Sequence, residues 1–189
     1  MVRTLAFAAI LLVSARAAAQ VPPGPQARPR HGLTFETGLG LGSFRGTKDG
    51  ATMRGAQMSL AGPNLGVGWF LNHHVALGAR VAGVYHRAAT GEFLATTFAG
   101  PTAQIWIAPY AWIGAGAGVG MVADPSLTLF EGGIIEQSRA FGFALDARLG
   151  LTFNPQHRHT VNVALELIPV FAFGTTYTGL GILAGYQFL

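Results

Sequence analysis

Few residues of this sequence have the type and setting to do chemistry, and their spacing decides which kind. Glu36, Arg80, Asp146, Arg148 and Glu166 are isolated charges in apolar or glycine-rich stretches. Ion pairing in a confined space is the chemistry open to them, because an unpaired charge away from water is costly. His86 is a candidate general base, but no serine or carboxylate stands at a readable spacing from it. His73, His74, His157 and His159 come in close pairs without an accompanying thiol or carboxylate, which reads as solvated turns rather than a metal centre. Asp124, Glu131 and Glu136 do not follow a calcium-loop spacing. The run Gly114–Gly120 alternates within a strand pattern and lacks the helix a nucleotide loop needs. The residues therefore call for neither cofactor nor metal. With no cysteine in the chain, lipoprotein attachment, disulfides and thiolate sites are excluded.

The elements that position these charges have a period of two. In Phe141 to Phe153 the odd positions are all apolar and the even ones are Gly142, Ala144, Asp146, Arg148, Gly150 and Thr152. Such alternation makes a two-faced strand, since successive side chains point to opposite sides. Seven further segments behave similarly: about 33–42, 57–70, 75–86, 95–108, 112–121, 160–167 and 179–188. In the second of these the upper half is ambiguous. The five charges fall on the polar face of their strands, four to seven residues from one end, and the turn over 154–159 sets Arg148 opposite Glu166. Inward Trp106, Trp112 and Gln104 add bulk at a similar depth.

Composition says what surrounds the strands. Half the chain is apolar and 11% is charged, against a usual charged share of roughly 25%. The polar face is largely glycine, and the one lysine is Lys48. That face suits a narrow lumen, and the apolar face suits lipid. No apolar run in the mature region reaches the length of about 20 residues that a membrane helix needs, so a closed barrel is the spanning structure left. The connections read as long (45–56), short (71–74), long (87–94), short (109–111), long (122–138), short (154–159) and modest (172–176). Outer-membrane barrels alternate in this way between outer loops and periplasmic turns. The fold class is thus all-β, an eight-stranded antiparallel up-and-down transmembrane β-barrel over 32–189. Trp69, Phe153 and Phe188 on the periplasmic side, and Tyr85, Phe141, Phe171 and Tyr177 on the outer side, are expected as an aromatic girdle.

Ahead of the barrel, Arg3, the apolar Leu5 to Val13 and Ala17-Ala18-Ala19 read as a signal peptide over 1–19. Residues 20–31 are a Pro-rich periplasmic lead-in without a fold of its own. Losing Arg3 and Arg16 with the signal takes the formal charge from +4 to +2. No basic run remains to bind nucleic acid.

With these features the chain resembles the small outer-membrane barrels of the OmpA-transmembrane and OmpX type. The C-terminal Gly185-Tyr186-Gln187-Phe188-Leu189 is similar to the strand signal that the barrel-assembly machinery reads in that family, although here Leu189 follows the aromatic residue. The resemblance implies a monomeric, non-enzymatic protein in contact with outer-membrane lipids. Its polar lumen would be plugged by the five charges, and its outer loops would serve envelope stability or surface interaction. A small pore, a lipid-modifying enzyme using His86 and a soluble ligand-binding barrel remain as alternatives.

Overall fold

The structure, a computed structural model, describes residues 29–48, 51–87, 93–123 and 139–189, the side chains of 53–55 excepted. The expected signal peptide, and the lead-in up to residue 28, lie outside them.

Eight strands follow one another: β1 (Gly32–Lys48), β2 (Ala51–Phe70), β3 (Val75–Arg87), β4 (Phe93–Ala108), β5 (Ala111–Ala123), β6 (Arg139–Phe153), β7 (His159–Ala172) and β8 (Thr175–Phe188). Each pairs antiparallel with its sequence neighbours, and β8 returns to β1 to close the barrel. The closing register runs from Phe35↔Phe188 to Lys48↔Thr175. We call the end where β1 begins and β8 finishes the terminal end, and the opposite one the loop end.

The period-two pattern sets which side chains go inside. In β6 the burial alternates without a break from Arg139 to Phe153, with even positions buried or half-buried. Even positions also face inward in β1, β3, β4, β5 and β7, and odd ones do so in β8. The outward set is strongly apolar, with Leu41 64%, Phe141 67% and Ile182 59% exposed. So continuous an apolar shell has no counterpart on water-soluble monomers, whereas lipid is its natural solvent.

The ambiguity in β2 has a structural cause. The register against β1 slips between Gly38↔Asn64 and Gly40↔Ala61, a bulge at Gly62-Pro63 with Gly62 at φ +96°. One extra residue reverses the parity of the strand. Ser59 and Ala61 point inward on one side of it, Asn64 and Phe70 on the other.

Two connections differ from the expectation. The sequence pattern predicts the first over 45–56, but β1 and β2 continue pairing through Thr47↔Thr52 and Lys48↔Ala51, leaving only 49–50 between them. The pattern predicts the last over 172–176, and it is the two-residue turn Phe173-Gly174, both at positive φ (50° and 70°). That is the hairpin geometry matching strand twist. A backbone ladder needs no apolar side chains, so the strands outrun the amphipathic pattern. Length alternation therefore holds over only part of the barrel. The connection 124–138 remains the longest.

If the outward face meets lipid, depth will govern the cost of charge there. Leu145→Arg, at mid-height of β6, is expected to lose about 2–4 kcal/mol, and Val161→Arg near the terminal rim about 0–1. Urea unfolding in lipid vesicles measures both. Equal costs would contradict the assignment.

Candidate functional site

The five charges meet inside the barrel. Glu36 comes from β1, Arg80 from β3, Asp146 and Arg148 from β6, and Glu166 from β7. Arg80 is the hub. Its Nε stands 2.9 Å from Glu36 Oε1 and its Nη1 3.1 Å from Asp146 Oδ2, and the same Nη1 donates to Glu166 Oε1. Arg148 reaches Glu36 Oε1 (2.5 Å) through Nη1 and Asp146 Oδ2 (3.2 Å) through Nε. Three carboxylates thus share two guanidiniums. Arg148 does lie opposite Glu166 in the β6–β7 register. Its ion partners are nonetheless Glu36 and Asp146, while Glu166 pairs with Arg80, which enters from the facing wall.

Asn64 also belongs to the cluster: alternation with Leu65, Val67 and Trp69 sets it on the polar face of β2, but as a neutral residue it carries no ion-pairing signal in the sequence. Its Nδ2 donates to Glu166 Oε2 (2.6 Å), and its Oδ1 accepts from the backbone N–H of Gly83 (3.0 Å).

Inward glycines make room for these large side chains. A Cβ on Gly66 would stand 2.7 Å from Glu36 Cγ, one on Gly114 2.9 Å from Arg148 Nε, and one on Gly150 2.2 Å from the Trp112 ring. These three glycines are sockets that neighbouring side chains occupy.

Toward the terminal end, buried Trp106 and Trp112 pack with ring centroids 6.4 Å apart, and Trp112 Nε1 donates to Thr152 Oγ1 (3.2 Å). Gln187 Nε2 donates to Gln104 Oε1 (2.9 Å) beside them. Toward the loop end the interior is apolar: Phe44, Leu94, Phe98, Val122, Ile168 and Val170 are fully buried. The sequence signal for this layer is weak, since these six residues are spread over four strands. Tyr177 belongs here and not to the girdle. At 3% exposure it faces inward with its ring 6.0 Å from that of Phe44. Odd positions of β8 point into the barrel, so parity overrides the preference of an aromatic for the interface.

The other girdle candidates are outside. Trp69, Phe141, Phe153 and Phe171 are exposed, Tyr85 is half-buried against Phe93, and half-exposed Phe188 meets the His159 ring edge-on at 5.4 Å. His86 Nδ1 lies 2.6 Å from the Met58 carbonyl, which occupies it. Among the described residues no group of three or more metal-ligating side chains occurs.

One feature of the terminal mouth was not anticipated. Arg30, the second-last residue of the lead-in, is buried, with its guanidinium 3.6 Å from the Trp106 ring centroid and donating to the Pro109 carbonyl. Burial pulls its pKa down to about 10. Arg30→Ala is expected to cost about 2 kcal/mol through the lost stacking and hydrogen bond. Thermal unfolding in detergent checks this, and an unchanged midpoint would refute the contact.

No family model matches the chain, and no curated protein matches it. Solved structures do. The attachment invasion locus protein of Yersinia pestis is similar at 17% identity and TM-score 0.52, covering 84% of this chain and 100% of that one. Neisserial surface protein A is similar at 11% identity and TM-score 0.58, covering 82% and 96%. Together with the closed topology and the apolar outer shell, this makes the chain a membrane-spanning barrel with the fold of the small eight-stranded outer-membrane β-barrel proteins.

Proposed function

We propose that the chain is a non-enzymatic, non-conducting outer-membrane barrel. Stacked side-chain layers close its lumen, and its longest connection, 124–138, faces outward to serve envelope stability or surface contact. In this reading both termini lie in the periplasm, assembly proceeds through the C-terminal strand and the barrel-assembly machinery, and the barrel acts as a monomer. The observation that carries it is Arg80, held by Glu36, Asp146 and Glu166 across the lumen, with an apolar layer on one side and the tryptophan pair on the other.

The two cavities flanking Glu36 and Arg148 measure about 20 Å³ each. That is room for roughly one water apiece, against the continuous path a pore requires. Occupation of His86 Nδ1 by a backbone carbonyl, with no serine or carboxylate partner among the described residues, weighs against an enzyme. Purified barrel in planar bilayers tests the proposal. It is expected to give no unitary current steps; reproducible steps would overturn the closed lumen in favour of a pore.

A further inference from the structure

The charges left outside the lumen are not evenly divided. At the terminal end His31, His73, His74, His157, Arg158 and His159 are all exposed, and the described residues there include no Asp or Glu side chain. Beside the β1–β8 seam this end carries a cavity of about 170 Å³, lined by Pro29, His31, Leu33, Arg158, Phe188 and Leu189. The register explains the notch. Pairing of β8 with β1 begins at Phe35↔Phe188, so Gly32–Thr34 have no backbone ladder partner on β8, and only the Thr34 side chain reaches across, donating from Oγ1 to the Phe188 carbonyl (2.6 Å). Leu189 is tied instead to the neighbouring turn by its N–H to the Arg158 carbonyl (2.8 Å).

The walls of the notch have two chemistries. Leu33, 54% exposed, continues the lipid-facing shell into it, with Phe188 alongside. Arg158 and His31 supply cationic and hydrogen-bonding groups, and neither side chain has an ion-pair or hydrogen-bond partner among the described residues. Leu189 completes the lining. A planar guanidinium matches phosphate oxygens two at a time. The volume suits a headgroup and is too small for acyl chains, which would lie on the apolar shell outside.

We infer that this notch binds the phosphodiester headgroup of an anionic glycerophospholipid in the leaflet at the terminal end. Arg158 and His31 hold the phosphate, and Leu33 and Phe188 take the first part of the chain. Such a lipid would fasten the seam at the point where the β-ladder is incomplete. The inference rests on the membrane-spanning reading and is independent of whether the lumen conducts.

The test is native mass spectrometry of the full chain folded in detergent, with phosphatidylglycerol, phosphatidylcholine or inorganic phosphate added. Heat-modifiable migration on a gel serves as the check of folding. One phosphatidylglycerol per barrel is expected to be retained in preference to phosphatidylcholine. Retention should weaken by about tenfold or more in an Arg158→Ala/His31→Ala variant, recover largely in Arg158→Lys, and stay unchanged in Lys48→Ala at the loop end. Millimolar inorganic phosphate should not displace the lipid, because it lacks the chain. Displacement by phosphate would make this a bare anion site and overturn the inference. So would equal retention of both lipids, or undiminished retention in the folded double variant. A wild-type chain that does not become heat-modifiable refutes the barrel itself, which keeps the two failures apart.

Discussion

Arg80→Ala is expected to destabilise the barrel by about 3–5 kcal/mol, among the largest losses from any single lumenal substitution. Arg80 contacts Glu36, Asp146 and Glu166, and the side chains of the latter two are 0% exposed. Removing the hub leaves carboxylates facing one another with only Arg148 to serve them. Urea unfolding of the folded barrel in lipid vesicles reads the loss directly. Arg80→Lys keeps the charge and loses the fork that reaches three acceptors, so an intermediate loss is expected. A midpoint for Arg80→Ala within error of the wild type would mean that the cluster does not contribute to folding.

Trp112→Ala is the second large effect, at about 3–5 kcal/mol. The ring is 1% exposed, lies against Gly150, donates to Thr152 Oγ1 and is 5.4 Å from the Arg148 guanidinium. Its removal leaves a void at the floor of the charge cluster and strips Arg148 of a cation–π neighbour. Gly150→Ala tests the same contact from the other side. The added Cβ would meet the ring at 2.2 Å, and overpacking of this kind costs about 1–3 kcal/mol. Unfolding midpoints of both variants, taken under one set of conditions, check the pair. If Gly150→Ala is neutral, the ring does not fill the glycine socket.

Much of this arrangement was legible in the residues themselves. Alternation in β6 gave the inward side of Asp146 and Arg148, because a period of two has only two outcomes per strand. The scarcity of charge made the few inward ones conspicuous, and the short turn over 154–159 placed Arg148 against Glu166. What stayed hidden depends on three dimensions. Ser59 and Ala61 precede a bulge that reverses the parity of β2, and no local propensity marks where the extra residue falls. Which carboxylate each arginine chooses is set by the facing wall, since Arg80 and Glu166 are 86 residues apart in sequence. The apolar loop-end layer, with Phe44, Phe98 and Tyr177, draws a few residues from each of several strands, so no one segment announces it. Arg30 sits in a Pro-rich stretch whose composition suggests no structure, and its burial depends on Trp106, far along the chain.

A buried ion cluster spans the lumen and joins opposite walls of the barrel. A double-mutant cycle between Arg80→Ala and Glu166→Ala, followed by urea unfolding in lipid vesicles, tests it most directly. The predicted result is strong coupling, with the double variant losing less than the sum of the single losses by about 2 kcal/mol or more. Additivity to within about 0.5 kcal/mol would contradict it.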